Sequence, residues 1–209
     1  LKSREGSKTA DYLETCGISL AMRDAFDLGY APADRNALFK ALTDQGVTQE
    51  QFIKSGICIK LDDDAEPNDR FRNCLIFPIR DVRGRCIAFG GQAFYASGKT
   101  KNLNFPETML FDKGCSLYNH GPARSALRKQ HPLIVAEVHM DVIALAQAGF
   151  STAVAPLGTS ITENQLMLMW RMYSEPIIVL DGDAAGTRAA YRLIDVALPL
   201  LKPGHALRF

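Results

Sequence analysis

In the second half of the chain, short apolar runs and helix-length segments follow one another without exception. LIVA at 133–136 leads to a helical pattern at 140–148, TAVAPL at 152–157 to one at 162–173, and IIVL at 177–180 to one at 186–201, after which ALRF begins a fourth apolar run. No other feature narrows the fold so far. Strands joined by helical crossovers re-enter a sheet in the same direction, so the alternation predicts a parallel sheet with helices on its faces. The uninterrupted apolar runs agree, because parallel strands are covered on both sides. Ligands of such sheets gather at the carboxyl ends of the strands, where both acidic motifs of this half sit.

Before residue 130 the rhythm is different. TADYLETCGI, with Thr9 as the expected N-cap, and NALFKALTDQG and TQEQFIKSG, each ending at glycine, predict small helices. The acidic, proline-containing LDDDAEPND (61–69) is expected as an exposed loop. CLIFPIRD, VRGRCIAFGGQAF and the neighbourhood of Leu103 read as strands, with turns at Arg83-Gly84 and Ser97-Gly98. The expected class is α/β: a mixed α+β N-terminal lobe over 1–125, then a parallel-sheet lobe over 126–209. There is no internal repeat.

At 209 residues the chain can bury one sizeable core or two modest lobes. No apolar run approaches the roughly 20 residues of a membrane span, so no membrane is expected. Five cysteines, an odd number without a CxxC pair, argue against zinc and against a disulfide framework, and for reduced thiols in the cytoplasm. The start LKSREG, without methionine, is that expected of a piece of something longer. Net charge is only +1, but from Asp69 to Lys101 seven basic residues (Arg70, Arg72, Arg80, Arg83, Arg85, Lys99, Lys101) stand against Asp69 and Asp81. Basic residues gathered in one strand-rich lobe suit a polyanion. Phe71, Phe94 and Tyr95 are expected in the core rather than stacked on bases.

Glu137 closes the first strand of the second half, Asp141 follows at the start of a helix, and Asp181 and Asp183 close the third strand. Four carboxylates at neighbouring strand ends repel one another, and a divalent cation turns that repulsion into attraction. Asp141 and Asp183 also suit helix N-termini. Gly182 and Gly186 leave room for metal or phosphate to approach. A shared ion requires Glu137 and Asp181 to lie within about 10 Å of each other.

These segments, LIVAEVHMDVIALAQAGF, AVAPLGTSIT and VLDGDAAGTRAA, resemble the TOPRIM fold of primases, topoisomerases and related nucleases. In the first lobe DRFRNCLIFPIRDVRGRCIAFGGQAF, KNLNFPETMLFDKGCSLYN and DLGYAPA resemble the catalytic core of bacterial DNA primase of the DnaG type, so that the resemblance covers nearly the whole chain. It implies metal-dependent, template-directed synthesis of short RNA primers from ribonucleoside triphosphates on single-stranded DNA, in the bacterial cytoplasm at the nucleoid. It implies Mg²⁺ (or Mn²⁺) held by Glu137, Asp181 and Asp183. Glu137 would serve as ligand or acid/base with Asp141 beside it, and Arg72, Arg83, Arg85, Lys101 and Lys113 would contact template and nucleotide phosphates. A replicative helicase would couple through a C-terminal region absent here, and the chain would stop just where a third acidic motif begins.

The sequence departs from that family pattern at several places. Where the family reads EGYMD this chain has Val138 and His139. Cys16, Cys74 and Gln92 stand where arginines are usual, Asn102 where a tyrosine is, and Thr187 where an arginine follows DAAG. Cysteine cannot make arginine's bidentate phosphate contact. Two alternatives therefore stay open: a degenerate primase-like core that binds single-stranded nucleic acid without efficient polymerisation, and a TOPRIM nuclease. A haloacid-dehalogenase-type phosphohydrolase is disfavoured, because its DxD belongs to the first strand of the domain.

Overall fold

The structure, a computed structural model, describes residues 1, 6–59, 67–94, 100–103, 105–127, 131–158 and 160–209. Its packing divides into two units, Leu1–Ile79 with Ile87–Asp112, and Arg80–Cys86 with Lys113–Phe209.

In the first unit, α1 (Ser7–Thr15) starts after Gly6. Thr9 is not its cap. It lies inside the helix, 1% exposed, because it shares a face with Leu13 four residues on, which is fully buried. α2 (Leu20–Ala25) is capped by Ser19, whose hydroxyl accepts the Met22 N–H, and β1 (Gly29–Ala31) follows. α3 (Ala37–Thr43) receives no side-chain cap from Asn36. Its cap comes from far away in sequence: the Asp69 carboxylate accepts the N–H of Leu38 at 2.7 Å and of Phe39 at 3.0 Å. α4 (Gln49–Ser55) has the reciprocal Thr48/Gln51 capping box and ends at Gly56 with φ 78°, as its sequence predicts.

β2 (Cys58–Ile59) pairs antiparallel with β3 (Asn68–Asp69). That pairing corrects part of the loop expected over 61–69. Asn68 and Asp69 are buried, 6% and 4% exposed, because the ladder and the α3 N-terminus satisfy their polar groups; residues 60–66 lie outside the described residues, as does the Ser97-Gly98 turn. β4 (Cys74–Arg80), β5 (Cys86–Phe94) and β6 (Thr100–Leu103) join β1 in a sheet of order β1-β4-β5-β6. Leu75, Phe77 and Ile79 alternate inward along β4, each side chain stabilising the fold by about 1.5–3 kcal/mol. Phe71 is buried and stacks on Phe105 with ring centroids 6.1 Å apart, which makes it core; Phe94 meets Tyr12 edge-on, and Tyr95 lies outside the described residues.

The second unit contains β7 (Leu117–Tyr118), α5 (His120–Ala126), β8 (Ile134–Val135), α6 (His139–Gln147), β9 (Ala153–Pro156), α7 (Glu163–Met172), β10 (Ile177–Ile178) and α8 (Ala184–Ala197). Its sheet runs β10-β8-β9-β7. The first three strands are parallel, as the alternation predicts, while β7 pairs antiparallel with β9 and makes the sheet mixed. ALRF extends the parallel set: Arg208 bridges to Ile177, and the Ile178 N–H donates to the Arg208 carbonyl at 2.7 Å. Leu133, Val135, Val154, Leu166, Met169, Trp170, Ile178 and Leu193 form the core between sheet and helices.

Candidate active site

Glu137 and Asp181 lie just beyond the carboxyl ends of β8 and β10, which are neighbours in the sheet with Ile134 opposite Ile177. The register brings the two residues together. Glu137 Oε2 accepts the backbone N–H of Asp181 at 3.1 Å, well inside the separation a shared ion requires. Glu137 is partly buried, whereas Asp181 is exposed.

The other two carboxylates are held by helix N-termini at the same sheet edge. Asp183 is the N-cap of α8: its Oδ1 accepts from Ala185 and Gly186, both at 2.8 Å. The Gly186 and Ala185 N–H groups, in that order, hold its carboxyl below the usual range, with a smaller contribution from Arg188. Asp141, in the first turn of α6, accepts the Val138 N–H at 3.0 Å. Valine offers no acceptor in return, so this cap is one-sided. Three of the four carboxylates thus accept a backbone N–H, and this offsets part of the mutual repulsion that the sequence alone implies.

Gly186 permits this geometry. A Cβ there would stand 2.0 Å from the Asp181 carbonyl oxygen, so only glycine lets the first turn of α8 lie against the strand end that carries Asp181. The sequence marks Gly186 for the room it leaves metal or phosphate, and the need for it against the Asp181 backbone appears only in the packing.

His139 is half-buried at the start of α6, with its ring edge-on to Tyr118 at 4.6 Å. Burial pushes its pKa down to about 4. Near neutral pH a neutral imidazole, not a cation, therefore stands two residues from Glu137.

The basic residues are divided between the units. Arg72 is exposed in the first. Lys101 lies there too, its backbone opposite Ala93 on β6, and its side chain is outside the described residues. Arg83, Arg85 and Lys113 belong to the second unit. Arg85 is engaged by Asp81, to which it donates from Nε at 2.8 Å and Nη2 at 2.7 Å. Lys113 opens the 3₁₀ turn Lys113–Cys115, which is fastened to the start of α7: buried Gln165 donates from Nε2 to the carbonyls of Lys113 at 2.9 Å and Ser116 at 3.0 Å. The turn is thereby held against the start of α7, the helix that follows β9. None of the five cysteines forms a disulfide, and Cys74 is fully buried in β4.

A short parallel sheet with glutamate after one strand and DxD after its neighbour defines a Toprim domain, and residues 131–209 match that family. Residues 1–124 match the family described as DNA primase catalytic core, N-terminal domain. The chain belongs to the DNA primase catalytic-core family. It is 41% identical to the DNA primase of Pseudomonas putida over 210 residues, all of this chain and 32% of that protein. With the Escherichia coli DNA primase it shares 38% identity over 209 residues, 36% of that protein. The chain spans about a third of the length of the curated relatives it matches. Among solved structures, a DNA primase domain from Pseudomonas aeruginosa superposes with TM-score 0.91 at 40% identity. A DnaG primase catalytic domain bound to ssDNA superposes with TM-score 0.88 at 38% identity. Each comparison covers 100% of this chain and 65% of the solved one.

Toprim domains bind divalent metal in general. The donor set fits a hard cation, since Glu137, Asp181 and Asp183 offer only carboxylate oxygens. Among the described residues no group of three His, Cys, Asp or Glu side chains forms a ready-made cage. An ion of the Mg²⁺ type needs none, because it takes one or two carboxylates and completes its shell with water and substrate phosphate. Among the described residues no helix is long and apolar enough to cross a membrane.

Proposed function

We propose that the chain is the nucleotidyl-transfer core of a bacterial DNA primase, which joins ribonucleoside triphosphates into short RNA primers on single-stranded DNA. The observation that carries this reading is the 3.1 Å contact from the Asp181 N–H to Glu137 Oε2, which joins the two acidic motifs at one sheet edge. Glu137, Asp181 and Asp183 would hold Mg²⁺ or Mn²⁺. The bound ion supplies charge neutralisation at the triphosphate and activation of the attacking hydroxyl. Alternatively to holding the ion, Glu137, whose Oε2 accepts the Asp181 N–H, would take the proton of the primer 3′-hydroxyl as that oxygen bonds to the α-phosphorus and pyrophosphate leaves. Asp141 fixes the turn after Glu137. Arg72, Arg83, Arg85, Lys101 and Lys113 supply phosphate contacts, which makes binding salt-dependent. In the whole protein, a replicative helicase as partner and the bacterial cytoplasm as location follow from the same reading.

The test is primer synthesis by this chain on single-stranded DNA with ribonucleoside triphosphates and Mg²⁺ or Mn²⁺, run beside a DNA-binding titration. Template-dependent dinucleotides and longer products are expected. Glu137→Gln and Asp181→Asn should each lower synthesis by roughly a hundredfold or more while DNA binding persists. Binding without any dinucleotide product overturns the enzyme reading and leaves a nucleic-acid-binding core.

A further inference from the structure

Between Lys113 and Ala136 the sequence contains no aspartate or glutamate, while Lys113, Arg124, Arg128 and Lys129 fall within it. Tertiary packing adds a second basic segment to this acid-free one. The turn Arg80–Cys86 belongs to the same compact unit. A Cβ placed on Gly121 of α5 would stand 3.5 Å from the carbonyl oxygen of Val82 and 3.6 Å from that of Asp81. Gly121 and Arg124 are three residues apart and share a face of the helix, so the face that meets the turn is the one carrying Arg124. The charge of Arg124 is also felt at His120: burial first, and that charge second, hold the imidazole below its ordinary pKa.

Within the turn the charges have separate tasks. Asp81 is its sole acid, and it is used internally: Oδ1 accepts the N–H groups of Arg83 and Arg85, each at 2.9 Å, and Oδ2 receives the Arg85 guanidinium. Arg80 donates from Nη1 to the Gly84 carbonyl at 2.8 Å. Arg83 at the tip of the turn and Arg124 on α5 are both exposed. Guanidinium forks match phosphate geometry.

We infer that the 80–86 turn and α5 together form a surface for the phosphodiester backbone of a nucleic acid, with Arg83 and Arg124 on the phosphates and the Asp81–Arg85 pair positioning the turn. This rests on the proposed function for its nucleic-acid chemistry, and deepens it by adding a contact, Arg124, that the sequence motifs do not mark. The backbone is that of the single-stranded template, the nucleic acid bound by the solved DnaG catalytic domain that superposes on this chain, and an RNA–DNA hybrid serves as the competing probe.

The experiment is fluorescence anisotropy over a KCl series with a labelled DNA single strand and a labelled RNA–DNA hybrid. Arg124→Ala is expected to weaken binding roughly three- to tenfold, and to reduce the slope of log affinity against log salt by about 0.7 on the single strand. Arg124→Glu should deepen the loss at an unchanged thermal midpoint. A larger loss on the single strand than on the hybrid is expected, and the reverse order overturns the template assignment. Asp81→Asn separates positioning from bulk charge: removal of a negative charge by itself tightens binding, whereas loss of the turn's anchor weakens it, and weakening is expected. Affinity and slope of Arg124→Ala equal to wild type on both probes overturn the surface, and tighter binding by Asp81→Asn overturns the positioning role. Wild-type binding without primer synthesis sinks the proposed function alone, while synthesis with an unaltered Arg124→Ala slope sinks this surface alone.

Discussion

Replacing Gly186 with alanine sets two known effects against each other at one atom. Gly186 is the third residue of α8 and is absent from the positive-φ glycines, so alanine suits its backbone. Helix propensity by itself favours the substitution by about 1 kcal/mol. Against this, the new Cβ would meet the Asp181 carbonyl oxygen at 2.0 Å, its carbonyl carbon at 2.9 Å and its nitrogen at 3.1 Å. All three are backbone atoms, and no rotamer change relieves the overlap. Reaching ordinary van der Waals separation requires a shift on the order of 1 Å. Overpacking of this kind costs about 1–3 kcal/mol, occasionally more. The shift also strains the Asp181 N–H bond to Glu137, worth about 1 kcal/mol. Overpacking wins, and a net destabilisation of about 1–3 kcal/mol is expected. In a chain of this size that lowers the thermal midpoint by roughly 2–12 °C, and displacement of Asp181 lowers metal-dependent synthesis by roughly a hundredfold. Thermal unfolding and primer synthesis measured on the same preparation check both. A Gly186→Ala protein with an equal or higher midpoint and unchanged synthesis refutes the reasoning.

Asp183 has two separable tasks, capping α8 and presenting a charge. Asparagine caps as well as aspartate, so Asp183→Asn should keep stability within about 0.5 kcal/mol, whereas Asp183→Ala costs about 1 kcal/mol; both should abolish synthesis, and an active Asp183→Asn assigns the residue to capping alone. Asp69→Ala removes the long-range cap of α3 and strands the N–H groups of Leu38 and Phe39, and a loss of about 1–3 kcal/mol in urea unfolding is expected. Burial raises the thiols of Cys58 and Cys74 to about 11. At pH 8 a thiol reagent should therefore label exposed Cys16, Cys86 and Cys115 in the native protein, and the other two only in denaturant; rapid native labelling of Cys74 would contradict the packing of β4.

Local patterns in the sequence determined the elements whose causes are themselves local. The apolar runs before Glu137 and Asp181 are strands because period and flanking residues leave few alternatives. α4 is capped by Thr48 at its start and by Gly56 at its end because the capping box and the left-handed glycine are both local to the segment. The acidic edge was legible for the same reason: strand ends of a parallel sheet share one side, so Glu137 and Asp181 had to be near each other once the direction of β8 and β10 was set. Tertiary structure alone decided what depends on partners distant in the chain. Asp69 is a buried cap and not a loop residue because α3 needs an acceptor that Asn36 does not supply. β7 runs antiparallel because it pairs with β9, some 35 residues later. The Arg80–Cys86 turn joins the second unit, and Gly186 becomes indispensable, through contacts that no periodicity encodes. A hydrophobic period constrains which face of a segment is covered; it carries no information about which distant backbone will lie against that face, and the closest approaches at this site are of that second kind.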